Sequence, residues 1–83
     1  MAMTEKLIDK NFGLSLQFMK YSLKHPEVTK IMTRGAHLIF EDTSDPTITK
    51  ANRKLAKESL REGAKCFRAI KDGRRWSVEP IAK

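Results

Sequence analysis

The middle of the chain constrains the fold most, because a helical pattern lies there between two short apolar runs. Residues 36–41, "AHLIFE", precede the turn-forming "DTSDP" and are typical of a buried strand. Asp45 before Pro46 predicts an N-cap and a first helical residue, and Gly63 predicts the helix end. Residues 65–71, "KCFRAIK", predict a second strand. The pattern indicates a β-α-β unit with parallel strands and a right-handed crossover. The predicted inner face of this helix consists of Ile48, Ala51, Leu55, Ala56 and Leu60.

A tight hairpin is predicted after the second strand, because Asp72-Gly73 separates two alternating runs. A turn at these two residues pairs Ala69 with Trp76. The apolar face of the hairpin is then Phe67, Ala69, Trp76 and Val78. We expect this face to be the floor on which the helices pack, so Trp76 should be buried.

The first helix is predicted to begin after Thr4 as N-cap and to end near His25, before a single further turn at Pro26. One of its apolar stripes is Ile8, Phe12, Leu16, Met19 and Leu23. A second stripe, about 80° away, is Leu7, Leu14, Phe18 and Tyr21. Because one sheet covers only one such stripe, the second predicts a homodimer or larger assembly built on this helix. Burial of the second stripe inside the monomer is the competing interpretation.

These elements predict one α/β domain over residues 1–83, in the order α, short α, β, α, β, β. It is a small two-layer domain with a parallel β-α-β unit, a C-terminal antiparallel hairpin strand and the helices on one sheet face. A chain of 83 residues buries only a thin core. Its 40% hydrophobic content still argues against intrinsic disorder.

The chain is basic, with 17 Lys and Arg against 10 Asp and Glu and a net charge of +7. This balance favours anionic partners without identifying one. Cys66 is the only cysteine, which excludes an internal disulfide or a cysteine-based zinc site and fits a reducing cytoplasm. No apolar run approaches the ~18 residues of a membrane span. We therefore expect a cytoplasmic protein with no membrane contact.

Three stretches of the chain resemble a small prokaryotic family of unknown function: "NFGLSLQFMKYSLKHPE", "GAHLIF" and "DPTITKANRKLAKESLREG". The resemblance covers about residues 10–70. It implies an N-terminal helix, a His-Pro-Glu segment and one β-α-β unit. Because that family has no established activity, the resemblance supports the fold and implies no function.

The second helix carries a row of basic residues within an arc of about 100°, and the row consists of Lys50, Arg53, Lys54, Lys57 and Arg61. A solvated face is the simpler interpretation, because an amphipathic helix places its charges opposite its apolar residues. The alternative is nonspecific binding of nucleic acid or another acidic partner, to which Arg68, Arg74 and Arg75 would contribute. The helix has no aromatic residue for base stacking. Any such binding should therefore be electrostatic and fade with salt.

Glu41, Asp42 and Asp45 follow the carboxyl end of the first strand, where open α/β sheets place ligands. Three carboxylates are able to hold Mg²⁺, which makes a metal-dependent enzyme a distant alternative, although an N-cap and a turn explain the same residues. A His37–Cys66 nucleophilic pair would require adjacent strands, a shared face and an oxyanion hole. The sequence shows no catalytic constellation, and it predicts no catalytic residue, metal ligand or cofactor.

We therefore expect a small interaction module that self-associates through its first helix. Nonspecific nucleic-acid binding is the second hypothesis, and metal-dependent catalysis is the third. The molecular mass in solution tests the first hypothesis, the salt dependence of binding tests the second, and a divalent-metal titration tests the third.

Overall fold

A computed structural model describes residues 5–81 as two α-helices, one 3₁₀ turn and a three-stranded sheet. Helix α1 spans Glu5–Lys24, the 3₁₀ turn spans Pro26–Thr29 and helix α2 spans Pro46–Arg61. The strands are β1 (His37–Asp42), β2 (Cys66–Asp72) and β3 (Arg75–Ile81). This is the predicted order of elements. Thr4, the predicted N-cap of α1, lies outside the described residues.

The sheet is mixed and has the strand order β1-β2-β3. Strands β1 and β2 are parallel, with His37 beside Cys66, and β2 and β3 are antiparallel. Helix α2 connects the two parallel strands. The predicted β-α-β unit followed by a hairpin strand is therefore confirmed.

Both predicted ends of α2 are confirmed. The Asp45 carboxylate accepts a hydrogen bond from the backbone N–H of Ile48 at 3.3 Å, which satisfies a donor that the first turn leaves without a helical partner. Gly63 has a φ of 90°, a left-handed conformation that glycine adopts without strain. On the inner face, Ile48 and Ala56 are buried as predicted, but the polar side chain of Asn52 is buried there too.

The turn between β2 and β3 lies one residue later than predicted. Asp72 pairs with Arg75, so Gly73 and Arg74 form the two-residue loop. Gly73 has a φ of 64°, and every positive φ in residues 5–81 belongs to a glycine. A type I′ turn at Asp72-Gly73 would require a positive φ at Asp72 as well, which is costly for an L-residue. A positive φ at the first loop residue alone is the pattern of a type II′ turn.

The predicted pairing of Ala69 with Trp76 is therefore wrong, since Trp76 lies opposite Lys71 and Ala69 lies opposite Val78. A pairing shift of two residues leaves every side chain on its original face, because side chains alternate with a period of two. Trp76, Ala69 and Val78 consequently share the apolar face, as predicted. Trp76 is 6% exposed, which confirms its predicted burial.

The core lies between α1 and this apolar sheet face, and three aromatic rings form its centre. The ring centroids of Phe18 and Trp76 are 5.2 Å apart, those of Phe18 and Phe40 are 6.1 Å apart, and those of Phe40 and Trp76 are 6.2 Å apart. The rings are tilted by 59–85° to one another, the edge-on arrangement that aromatic pairs favour. Helix α2 adds Ile48, so both helices bury apolar side chains in the same cluster.

Side chains of α2 also bind the outer edge of β1. The Thr49 hydroxyl accepts from the Asp42 N–H at 2.9 Å and donates to the Asp42 carbonyl at 3.0 Å, and the Asn52 amide donates to the Phe40 carbonyl at 2.8 Å. An uncovered edge strand invites pairing with another chain. These bonds occupy much of the β1 edge and hold α2 against it.

Candidate interaction surfaces

The largest exposed apolar feature in residues 5–81 is one side of α1. We call it the exposed α1 stripe, and its residues are Ile8, Phe12, Leu16, Met19 and Leu23, with exposures of 53, 54, 44, 53 and 78%. They repeat at helical spacing and therefore form one continuous band along the helix. No helix among residues 5–81 is long and apolar enough to cross a membrane.

The stripe predicted as an oligomer interface, Leu7, Leu14, Phe18 and Tyr21, lies in the monomer core instead. Leu14 and Phe18 are 4% and 6% exposed, and Leu7 and Tyr21 are partly buried against the same cluster. Leu14 and Phe18 are therefore core residues with no surface to offer a partner, and Leu7 and Tyr21 pack against them. The competing interpretation, internal core, is the one that the structure supports.

A pair of amide side chains explains why α1 turns this stripe inward. The Asn11 amide donates to the Asn52 carbonyl oxygen at 3.1 Å, and the Asn52 amide donates to the Asn11 carbonyl oxygen at 2.8 Å. At 100° per residue, Asn11 lies on the flank of Phe18, away from Leu16. Pairing with the buried Asn52 therefore fixes the rotation of α1 with Phe18 toward the sheet.

Two serines border the exposed α1 stripe and keep their hydroxyls on their own helix. The Ser15 hydroxyl donates to the Phe12 carbonyl at 2.7 Å, and the Ser22 hydroxyl donates to the Met19 carbonyl at 2.8 Å. Their donors are thus satisfied without a partner molecule. Small side chains at this border leave room for another helix to approach.

The basic row of α2 is exposed, but its Arg53 is bound to the protein itself. Arg53 donates from Nε and Nη2 to the two carboxylate oxygens of Glu41, at 3.1 and 3.0 Å. These hydrogen bonds and the negative charge of Glu41 raise the pKa of the Arg53 guanidinium. Lys50, Lys57 and Arg61 are exposed and form no ion pair with any residue in 5–81.

The arginines predicted to extend the basic row divide into two groups. Arg68 donates from Nε to Glu79 at 2.6 Å, and its Nη1 lies 3.7 Å from the carboxylate of the buried Glu41. Arg74 and Arg75 are exposed at the β2–β3 turn. Glu41 and Glu79, on the sheet face opposite the core, therefore neutralise Arg53 and Arg68. The sequence pattern did not reveal this role of the two glutamates.

A depression of about 780 Å³ runs along the basic row, and its lining residues all belong to α2. The outer face of a single helix is convex. The space therefore lies between long, mobile Lys and Arg side chains, and the backbone does not build a cavity there.

The three acidic residues of the distant metal-site alternative, Glu41, Asp42 and Asp45, each have a partner in the protein. Asp42 accepts from the Ser44 N–H at 2.9 Å and from its hydroxyl at 2.7 Å, and Asp45 caps α2 and forms an ion pair with Lys10. Burial acts to raise the pKa of Asp42, but the Ser44 hydrogen bonds and nearby lysines outweigh it, so this pKa is lowered. Glu41 and Asp42 point to opposite sheet faces because they are consecutive in a strand. The structure therefore does not bring Glu41, Asp42 and Asp45 together.

His37 and Cys66 are neighbours on parallel strands and share a sheet face, which meets two of the conditions for a nucleophilic pair. The His37 Nδ1 contacts the Ser59 hydroxyl at 3.3 Å instead of the thiol, and Cys66 is only 2% exposed. Neither His37 nor Ser59 has an acidic hydrogen-bond partner among residues 5–81. The arrangement ties α2 to β1 and lacks the relay that activates a nucleophile.

A model of a family of unknown function, DUF5647, matches residues 6–80. The chain belongs to the DUF5647 family. The match extends from α1 through all three strands, which confirms the resemblance seen in the sequence. No curated protein and no solved structure matches the chain at a significant level. Membership in DUF5647 supports the fold and implies no function, because the family is one of unknown function.

Proposed function

We propose that the chain is a small cytoplasmic interaction module that forms a homodimer through the exposed α1 stripe. Five large apolar side chains on one helix face, each 44–78% exposed, support this proposal. Soluble monomers rarely expose a contiguous apolar patch beyond a few hundred Å², and two-fold pairing removes both stripes from water. Cys66, the sole cysteine, is free and buried, so the fold requires no oxidising compartment.

The charges beside the exposed α1 stripe favour an antiparallel pair. At 100° per residue, Asp9 lies on one rim of the stripe near its N-terminal end, and Lys20 lies on the same rim near the other end. When two antiparallel helices are related by a two-fold axis, the same rim of each helix lies against its counterpart, and the two rims run in opposite directions. Asp9 of one copy then approaches Lys20 of the other. A parallel pair sets this rim against the uncharged rim of Ser15 instead.

The midpoint of the stripe lies near Leu16, which places this residue at the proposed two-fold axis. Ser15 lies beside it and presents a small side chain whose hydroxyl is already bonded within α1. The helices are therefore able to approach closely at the axis, while Phe12 of each copy packs near Met19 of the other.

Nonspecific binding of nucleic acid by α2 remains the second candidate, and Lys50, Lys57 and Arg61 support it because they are exposed and form no internal ion pair among the described residues. The bidentate pair of Arg53 with Glu41 counts against it. Binding of this kind should weaken steeply between ~50 and ~200 mM salt, whereas dimerisation through the apolar stripe should not.

Light scattering at high micromolar concentration tests the dimer with two neighbouring substitutions. Leu16→Glu places a carboxylate in the stripe, and Gln17→Glu places one on the exposed opposite side of α1. We expect a dimer mass for the wild-type chain and for Gln17→Glu, and a monomer mass for Leu16→Glu. Circular dichroism verifies that each variant is folded.

Two results would refute the proposal. A monomer mass for the folded wild-type chain means that the stripe does not drive association. An equal loss of dimer in both variants means that net charge, and not the stripe, controls the mass.

A further inference from the structure

A shallow, open depression lies between the C-terminal half of α1 and the β2–β3 hairpin. Its volume is about 370 Å³, within the size range of small-ligand sites. Its lining residues are Gln17, Lys20, Tyr21, Lys24, Lys71, Gly73, Arg74 and Trp76. We call it the basic cleft. Most of its lining lies on a different side of α1 from the exposed α1 stripe, and Lys20 is the one lining residue that also borders the stripe.

The lining of the basic cleft contains four cations and no carboxylate. Lys20 and Lys24 come from the helix wall, whereas Lys71 and Arg74 come from the hairpin wall. Lys20, Lys24 and Arg74 are exposed and form no ion pair with residues 5–81. Lys71 is half-buried and interacts with the negative charge of Asp42. Cations on facing walls repel one another, and an anion between them relieves that repulsion.

The fold holds both walls of the basic cleft in place. Trp76 pairs across the hairpin with Lys71 and packs in the aromatic cluster of the core. Tyr21 packs against the same cluster, and its ring stacks on His25 with centroids 4.4 Å apart. The floor is therefore rigid, while the cationic side chains above it are able to adjust to a ligand.

The burial of Trp76 decides which part of a ligand the cleft recognises. Because its indole is only 6% exposed, a nucleobase has little ring surface on which to stack. The accessible chemistry is positive charge from two sides, which suits a compact anion bearing several adjacent negative groups. We propose that the basic cleft binds a polyphosphate group, meaning two or more linked phosphates, between Lys20 and Lys24 on one wall and Lys71 and Arg74 on the other.

The basic row of α2 provides the natural comparison. It carries five positive charges against the four of the cleft, but they lie on one convex helix and Arg53 is bound to Glu41. Charges on a single convex face attract anions diffusely. Charges on two facing walls can bridge one anion, so the two surfaces should differ in selectivity even though both are basic.

Isothermal titration calorimetry with inorganic triphosphate as the probe tests the proposal. Lys24→Ala and Arg74→Ala remove one cation from each wall, and Lys50→Ala and Lys57→Ala remove the same charge from α2. We expect saturable binding of one triphosphate per chain, weakened about fivefold by either cleft variant and unchanged by either α2 variant. Because all four positions are exposed, the variants should remain folded.

Two further titrations distinguish the sources of phosphate. We expect inorganic monophosphate to bind much more weakly than triphosphate, because it carries fewer negative charges to place among the four cations. A single-stranded oligonucleotide at equal phosphate concentration should also bind more weakly, because its phosphates are spaced apart.

Equal weakening by cleft and α2 variants would overturn the proposal, since it would show a response to net charge alone. An absence of triphosphate binding at low salt would also overturn it. Preference for the oligonucleotide over triphosphate would show that the cleft serves a nucleic-acid strand instead.

Discussion

Helix α1 has two apolar stripes of similar composition, and they lie in opposite environments. Leu14 and Phe18 are 4% and 6% exposed, whereas Leu16 and Phe12 keep 44% and 54% of their surface in solvent. Hydrophobic periodicity does not distinguish the stripes, because both repeat at helical spacing. The apolar pattern thus reveals that α1 has two apolar faces and leaves open which one packs into the core.

The polar residues at the boundary of the stripes make that choice. Asn11 flanks the inner stripe and forms two hydrogen bonds with Asn52, which is also bonded to the Phe40 carbonyl. A buried amide without partners is costly. Rotating α1 to bury the other stripe would therefore leave Asn52 without Asn11.

The largest expected contrast between the stripes comes from a matched pair of phenylalanine substitutions. Phe18→Ala removes a buried ring from the aromatic cluster and should lower the free energy of unfolding by about 3–5 kcal/mol. Phe12→Ala removes an exposed ring and should change the stability of the monomer by less than about 1 kcal/mol. Urea denaturation at low protein concentration measures both. Similar losses in the two variants would show that the stripes are not in different environments.

A double-mutant cycle on the amide pair tests what fixes the rotation of α1. Asn52→Ala should cost about 2 kcal/mol, since it leaves the Phe40 carbonyl and the Asn11 side chain without a partner. Asn11→Ala should cost less, and the two changes should couple by about 1 kcal/mol. Additive effects in urea denaturation would mean that the amide pair does not hold α1 in place.

Acid should weaken the β1–α2 junction that supports the inner stripe. The pKa of Asp42 is lowered from its ordinary value of 3.8, so protonating it costs more in the folded chain than in the unfolded chain. Its contribution to stability is present above that ordinary value and is lost as the pH falls through the folded-state pKa. The free energy of unfolding should therefore drop more steeply below pH 3.8 in the wild-type chain than in Asp42→Asn. Identical slopes would contradict the role given to Asp42.

The smallest change in dimer affinity is expected from substituting the charged residues at the rim of the exposed α1 stripe. Asp9→Lys should weaken the dimer by less than about 1 kcal/mol, because exposed ion pairs contribute little. Adding Lys20→Asp should restore the wild-type affinity, since the two positions meet in the antiparallel pair. Sedimentation equilibrium at low salt measures both variants. Failure of the double variant to recover would exclude the antiparallel arrangement.

Local signals predicted most of the fold because they act within a few residues. Asp45 before Pro46 and the left-handed Gly63 set the ends of α2, and strand alternation set the faces of the hairpin. The predicted register of the β2–β3 hairpin was wrong because the position of the turn depends on which residue has a positive φ. A loop of Gly73 and Arg74 needs no positive φ at Asp72. The side chains of β2 and β3 alternate in the same way for the predicted turn and for the observed one, so the alternation could not distinguish them.

The sequence predicted the surfaces less well, because their properties depend on contacts between distant residues. Arg53 belongs to the basic row of α2, yet its guanidinium is bonded to Glu41, twelve residues away. The basic cleft joins Lys24 to Arg74, which lie 50 residues apart in the sequence. Helical spacing alone gives no sign of either arrangement.

Disulfide capture at Leu23 tests the orientation of the proposed dimer, because Leu23 lies at the end of the exposed stripe and not at its midpoint. In an antiparallel pair Leu23 of one copy lies near Ile8 of the other, far from its own symmetry mate. Leu23→Cys should therefore remain uncrosslinked under mild oxidation. Efficient covalent dimer formation by this variant would indicate a parallel pair.

Disulfide capture at the midpoint of the stripe tests whether the exposed α1 stripe is the dimer interface. Leu16→Cys meets its symmetry mate at the two-fold axis, within the reach of a disulfide, whereas Gln17→Cys faces away and Cys66 is only 2% exposed. We expect covalent dimers from Leu16→Cys under mild oxidation, and monomers from Gln17→Cys and the wild-type chain. Equal yields from both variants, or no covalent dimer from Leu16→Cys, would contradict the claim that the exposed α1 stripe is the interface.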